Sequence, residues 1–411
     1  MPRPLAAAPP VTIHGHHDPR WTRVRDAFAA GFASGDEWGA SLAVWHAGEL
    51  VVDLWGGMAD VERQRPWQAD TLTTVFSCTK ALVALAFLML NDRGQLDYDA
   101  PVARYWPGFG THGKERITVR TLLNHRAGLH GLDGPVTLDD IEQRPEQVTA
   151  LLERQSPRWT PGQDQGYHAV TYGLYADVLF RRIAGESIGT FLRREVTKPL
   201  GADAFLGLPV EYETRVATNY PVTTRERLLR IIPKAAASQG TEGRVYRSVM
   251  SGGDAARAFA YPRELGPAGI HNFNTRRVHA MELPWGNGIA NGRGLCRVFA
   301  ALANGGELDG VQLVRAETIE PVMRRQGWSE RDRVLNKPIG WSQGFLKEGT
   351  AVFSPNTESF GHSGAGGALA WADPVARVSI GYAMNKMDHM IRSPRALALC
   401  HAVYECVGPR R

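Results

Sequence analysis

A serine and a lysine three residues apart open an apolar run: Ser77-Cys78-Thr79-Lys80, followed by ten consecutive apolar residues from Ala81 to Leu90. Residues i and i+3 share a helix face, so the Ser77 hydroxyl and the Lys80 amine would point the same way. A deprotonated amine can take the hydroxyl proton. The unpaired N–H groups at a helix N-terminus can hold the oxyanion that follows. The plain alternative makes Ser77 a helix cap and Lys80 a solvated first-turn charge. Chance yields roughly 0.3 such spacings in a chain of this composition, so the motif has to be judged in context. Part of that context is the lysine itself. Lys and Arg together number 47, only seven are Lys, and Lys80 is the only one before Lys114. Arginine keeps its proton in proteins, whereas a partly desolvated lysine gives it up.

Two further segments carry candidate chemistry. WTPGQDQGYHAVTYG has a Pro-Gly turn that sets Tyr167 just before a helix, and SFGHSGAGG reads as a strand rising into a glycine-rich turn. A third motif is set aside. Gly185-Glu186-Ser187-Ile188-Gly189 fits the G-x-S-x-G nucleophile elbow, but that elbow needs a strand before it, and here a helix precedes it. Gly185 reads instead as a helix C-cap and Ser187 as the N-cap of the next helix.

Taken in order, these residues resemble the serine β-lactamase and penicillin-binding-protein superfamily, in particular class C β-lactamases and family VIII carboxylesterases. Ser77-Cys78-Thr79-Lys80 matches S-x-x-K, Tyr167-His168-Ala169 stands where Y-x-N is expected, and His362-Ser363-Gly364 stands where K-T-G is expected. Leu122-Leu123-Asn124-His125-Arg126-Ala127-Gly128-Leu129 and Trp159-Thr160-Pro161-Gly162 are secondary matches, and the similarity runs from about Gly39 to Met387. The resemblance implies an α/β (α+β) fold of the β-lactamase/transpeptidase type, an antiparallel sheet flanked by helices with an inserted, mostly helical domain. It implies a Ser77 nucleophile, with Lys80 or a Tyr167 phenolate held by Lys80 as the base. It also implies an oxyanion hole from the backbone N–H groups of Ser77 and Ala365, with His362, Ser363 and Gly364 at the substrate. A neighbouring ammonium is expected to lower the phenol's pKa. His125 reads as structural, and His168 is open to either role.

Two departures bear on the substrate. Ala169 replaces the Asn that binds a lactam's amide side chain, and His362 replaces the Lys that helps hold its carboxylate. An imidazole is mostly neutral near pH 7.5 and anchors an anion weakly. A small carboxylic ester is therefore the expected substrate. β-Lactam or D-amino-acid amide cleavage, acyl transfer and a non-catalytic binding role are the alternatives.

The elements that must position these residues can be read coarsely. SLAVWH and ELVVDLWGG flank Ala47-Gly48 as a β-hairpin, residues 100–290 read mostly as short helices and loops, and strand signals return at GFL, SFGHSG, GALAWADP and ARVSIGYAMN. Strands at both ends predict a discontinuous α/β domain, 1–76 with 285–411, around a mostly helical domain, 77–284, with the site at the seam.

The 411 residues, 43% hydrophobic and 22% charged, describe an ordinary globule. The net charge of +5 comes from scattered arginines, which argues against nucleic acid. Cys78, Cys296, Cys400 and Cys406 make no zinc spacing and read as free thiols. The N-terminus shows no sustained apolar run, His14, His16 and His17 read as a flexible polar terminus, and no apolar stretch spans a bilayer. The expectation is a cytoplasmic enzyme with no cofactor or metal and no nucleic-acid or membrane partner.

Overall fold

A computed structural model describes residues 11–408 except 238, 239, 267 and 351. The first ten residues, part of the stretch read for a secretory segment, lie outside the described residues. The main sheet is antiparallel throughout. Its strands are β1 (Ile13–His17), β2 (Gly39–His46), β3 (Glu49–Asp60), β4 (Gly327–Ser329), β5 (Ile339–Ser342), β6 (Phe345–Lys347), β7 (Phe360–Ser363), β8 (Leu369–Asp373) and β9 (Val378–Met384). They lie in the order β1-β3-β2-β9-β8-β7-β6-β5-β4, with the short strand Arg65–Pro66 also pairing with β3, and the chain's two ends meet where β2 pairs with β9. The expected β-lactamase/transpeptidase-like α/β architecture is present.

Among its longer helices are α1 (Thr22–Ala33), α2 (Cys78–Asp92), α3 (Thr171–Ala184), α4 (Gly240–Met250), α5 (Gly292–Ala303) and α6 (Pro394–Val407). Alternate residues of a strand face opposite ways. Ser379 of β9 donates to the Cys296 carbonyl of α5 at 2.8 Å, whereas Tyr382 reaches Glu37, which pairs with Arg395 of α6. Helices therefore cover both faces. α5 lies so close to β9 that a Cβ on Gly381 would sit 2.0 Å from the Gly292 carbonyl oxygen. Apolar residues run through α2 without a break from Ala81 to Leu90, and the helix is buried on every side from Cys78 to Leu90. Such a helix packs between layers rather than on a surface.

Three features depart from the sequence expectations. His14, His16 and His17 sit in the edge strand β1, paired along β3 from Val52 to Gly56, and not in a loose terminus. Backbone pairing holds them there, which side-chain propensity does not report. β4 and β5 carry Gly, Trp and Ser and are too short to show alternation. Thr73–Thr74 also pairs with Ile289–Ala290, which pairs in turn with Ala204–Phe205, a small sheet that ties the approach to Ser77 to the far end of the helical insert. The hairpin, by contrast, forms as expected. Its turn residues Ala47 and Gly48 both have positive φ, 52° and 99°.

Ala47 is exposed and pays for a left-handed conformation that Asn tolerates better. Ala47→Asn should stabilise the protein by roughly 0.5–1 kcal/mol, read as a shift of the denaturation midpoint at unchanged m-value.

Candidate active site

The turn before α2 is clamped from several directions. Phe76 has φ +47°, an uncommon conformation for a bulky residue, and its ring packs edge-on against Phe273 at 5.2 Å. Val75 N donates to the Gly288 carbonyl at 2.8 Å, while Gly288 N donates to Thr79 Oγ1 at 2.8 Å. Thr79 Oγ1 in turn donates to the Phe76 carbonyl at 2.5 Å. These bonds fix Ser77 at the helix head with φ −65° and ψ −9°, and its side chain makes no capping hydrogen bond. The cap reading fails, and so does the solvated-charge reading, because Lys80 is only 1% exposed.

Ser77 Oγ is instead shared by two groups. Lys80 Nζ lies 3.3 Å from it, and Tyr167 Oη donates to it at 2.9 Å. Lys80 Nζ also donates to the Trp285 carbonyl at 2.6 Å and stands 4.9 Å from the centre of the Tyr167 ring. Burial pushes the Lys80 pKa well below that of a free lysine. The phenol departs from expectation. The lysine faces the ring, and burial raises the Tyr167 pKa even against the Ser77 hydrogen bond. A buried phenol opposite an amine that loses its own charge has no cation to favour the phenolate.

Tyr167 is placed by its backbone and by its ring. Its N–H donates to Asp332 Oδ1 at 3.1 Å, an oxygen that also accepts from the N–H groups of Val334 and Leu335, each at 2.9 Å. Its ring stacks on Trp341, 5.7 Å away and 8° from parallel. His168 N donates to His125 Nδ1 at 2.9 Å, and Gly166 N donates to the His125 carbonyl at 3.1 Å, so His125 braces the residues on both sides of the tyrosine. This agrees with its structural reading. His168 accepts from Leu129 N at 3.0 Å and donates to the Gly166 carbonyl at 2.7 Å, which uses both ring nitrogens and leaves it no chemistry.

His362 Nδ1 can only donate to the Ser363 carbonyl, 2.6 Å away, and burial lowers its pKa to about 3. The ring is therefore neutral and Nε2 carries a lone pair, without a partner among the described residues. Ser77, Tyr167, His362, Ser363, Gly364 and Ala365 all line one cavity of about 310 Å³. Its remaining walls are largely apolar and include Val249, Leu335, Ile339, Trp341, Met387 and Ile391. The structure thus brings together every residue singled out from the sequence, Lys80 standing just behind the wall. Ala169 is buried beneath the tyrosine loop. Sequence reasoning missed Trp285, Gly288 and Asp332, because each acts through a backbone group or a backbone contact that no side-chain motif records.

The geometry matches a known family. Residues 24–400 match the model of the Beta-lactamase family, and the chain belongs to that family. It is 34% identical to the esterase/beta-lactamase LipL of Mycobacterium tuberculosis, over 91% of this chain and 83% of that protein. A crystal structure of a family VIII carboxylesterase superposes with a TM-score of 0.84 at 39% identity, covering 96% of this chain and all of that one. A penicillin-binding protein homologue from Caulobacter crescentus gives a TM-score of 0.83 at 36% identity, covering 96% of this chain and 100% of that chain. Among the described residues no helix is long and apolar enough to cross a membrane, and no group of His, Cys, Asp and Glu is placed to hold a metal ion.

A Cβ at position 288 would fall 2.7 Å from Thr79 Oγ1 and push the Ser77 turn out of place. Gly288→Ala should slow phosphonylation of Ser77 by a fluorophosphonate on the order of tenfold to a hundredfold, with a much smaller change in melting temperature.

Proposed function

We propose that the protein is a carboxylesterase, a serine hydrolase that cleaves small carboxylic esters through an acyl-enzyme on Ser77. The observation that carries this reading is Ser77 Oγ held between Lys80 Nζ and Tyr167 Oη at the wall of an apolar cavity. Lys80, neutral in its dry surroundings, takes the Ser77 proton as Oγ bonds to the acyl carbon. The carbonyl oxygen becomes an oxyanion held by the N–H groups of Ser77 and Ala365, a donor pair of the kind worth about 3 to 4 kcal/mol each. As the ester C–O bond breaks, the Tyr167 hydroxyl donates its proton to the departing alkoxide and is reprotonated from the Lys80 ammonium. Water then enters, gives its proton back through the same pair, and releases the acid. Lys80 is thus the base and Tyr167 the proton relay.

The polar groups favour esters over β-lactams. A neutral His362 offers no cation for a lactam carboxylate, and Ala169 offers no amide for its side chain. The mostly helical residues 77–284 and the discontinuous α/β domain, 1–76 with 285–411, would then meet at the cavity, which takes its walls from both. Four free, buried cysteines suit a reducing compartment, and we place the enzyme in the cytoplasm.

A fluorophosphonate should label Ser77, and short-chain p-nitrophenyl esters should be turned over with far higher kcat/KM than nitrocefin. Label on Ser187 or Ser363 alone, or the reverse order of substrates, would overturn the proposal. Lys80→Ala and Tyr167→Phe should each lower kcat by on the order of a thousandfold, with the double variant only slightly worse, because the two act as one unit. Multiplicative losses, in variants whose folding is checked by circular dichroism, would show separate roles.

A further inference from the structure

The wall of the cavity that comes from the helical insert has a second, outward surface. The chain is helical from 224 to 237 and again along α4. Val245, Tyr246 and Val249 of α4 line the cavity beside residues 387–391. Tyr246 donates to the His389 carbonyl, and Lys234 Nζ lies 3.5 Å from Met390 Sδ, so both helices sit directly on the cavity rim. Their outer face is unusually apolar. Eight large apolar side chains stand exposed among the described residues, and Leu228 (57%), Leu229 (65%), Ile232 (46%) and Met250 (64%) are half of them. Leu228, Ile232 and Ala236 follow one another at four-residue steps on one helix face, with Leu229 and Pro233 beside them, all exposed.

This apolar stripe lies in a segment that is cationic in sequence. The segment 224–237 holds Arg225, Arg227, Arg230 and Lys234 against a single carboxylate, Glu226. Glu226 is turned back to cap its own helix, accepting from Thr223 N and Thr223 Oγ1, each at 2.9 Å. Arg225 and Arg230 are exposed. An exposed helix with an apolar stripe between cationic side chains is the pattern that lies in a membrane interface, its apolar face among acyl chains and its cations toward anionic headgroups. A second copy of this chain is the poorer occupant, because pairing two such faces would set one cationic helix against another.

We propose that residues 224–237 dock the protein on an anionic lipid–water surface and bring the cavity mouth to it, so that the enzyme draws ester substrates from that surface. The substrate class is then an amphiphilic acyl ester that partitions into lipid. This deepens the ester-hydrolase reading and revises the expectation of no membrane partner, since the contact is peripheral.

The test is co-sedimentation of the full chain with phosphatidylcholine vesicles and with phosphatidylglycerol-rich vesicles. The wild type should bind the anionic vesicles at least about tenfold more tightly, and added salt should weaken this binding. Two variants, L228S/L229S/I232S and R225E/R230E, should each lose about tenfold or more in vesicle affinity while hydrolysing dissolved p-nitrophenyl butyrate as the wild type does. Equal binding to both vesicle types, or binding unchanged in both variants, would overturn the proposal. So would a wild-type dimer, seen by light scattering, that the serine variant dissolves, because the face would then belong to a second copy. Pelleting does not depend on turnover: a protein that binds vesicles but hydrolyses no ester would sink the ester-hydrolase reading and leave the docking surface standing.

Discussion

The desolvation of one amine governs the arrangement of the site. Holding a lysine neutral at pH 7 costs about 4–5 kcal/mol relative to its free, protonated form. The fold meets that cost by burying α2 on all sides and giving Lys80 Nζ, among the described residues, only the Trp285 carbonyl and the Ser77 hydroxyl as hydrogen-bond partners. The linkage has a definite sign. Because the folded pKa is lowered, the unfolded chain binds the extra proton between that value and about 10.4, and this lysine's contribution to stability rises with pH across that window. The strain is local to the site that uses it. A lysine that packed well as an ammonium would be a poor acceptor for the Ser77 proton.

The neighbouring groups follow from the same dryness. Burial leaves Tyr167 a phenol that donates to Ser77 Oγ and leaves His362 a neutral ring with a free lone pair. In the proposed mechanism the oxyanion and the Lys80 ammonium form together, a new charge pair in a medium that screens it weakly, beside the Lys337–Glu348 ion pair at the cavity wall. On the proposed reading, the same burial that makes Lys80 the base leaves His362 without a charge to hold a carboxylate.

Much of this was legible in the sequence because it is carried by side chains in fixed local spacing. Ser77 and Lys80 share a helix face, Tyr167 follows a Pro-Gly turn, and His362 to Ala365 end a strand in a glycine turn. The long, buried strands β2, β3, β8 and β9 announced themselves through their apolar content. What stayed hidden depends on partners distant in sequence. β1 is a strand only because β3 pairs with it, Trp285 matters through its carbonyl, and Asp332 matters because its carboxylate collects three backbone N–H groups from two segments. The upward shift of the Tyr167 pKa stayed hidden too, because it comes from burial, which spacing alone does not report.

The central claim is that Lys80 has surrendered its proton before the substrate arrives. Heteronuclear NMR titration of the side-chain resonances of the seven lysines, in the Ser77→Ala protein and with Lys80→Met to assign the signal, measures this directly. The account predicts one lysine titrating well below 10.4, and that resonance should vanish in Lys80→Met. A Lys80 that titrates near 10.4 in the folded protein would contradict it and hand the role of base to another group.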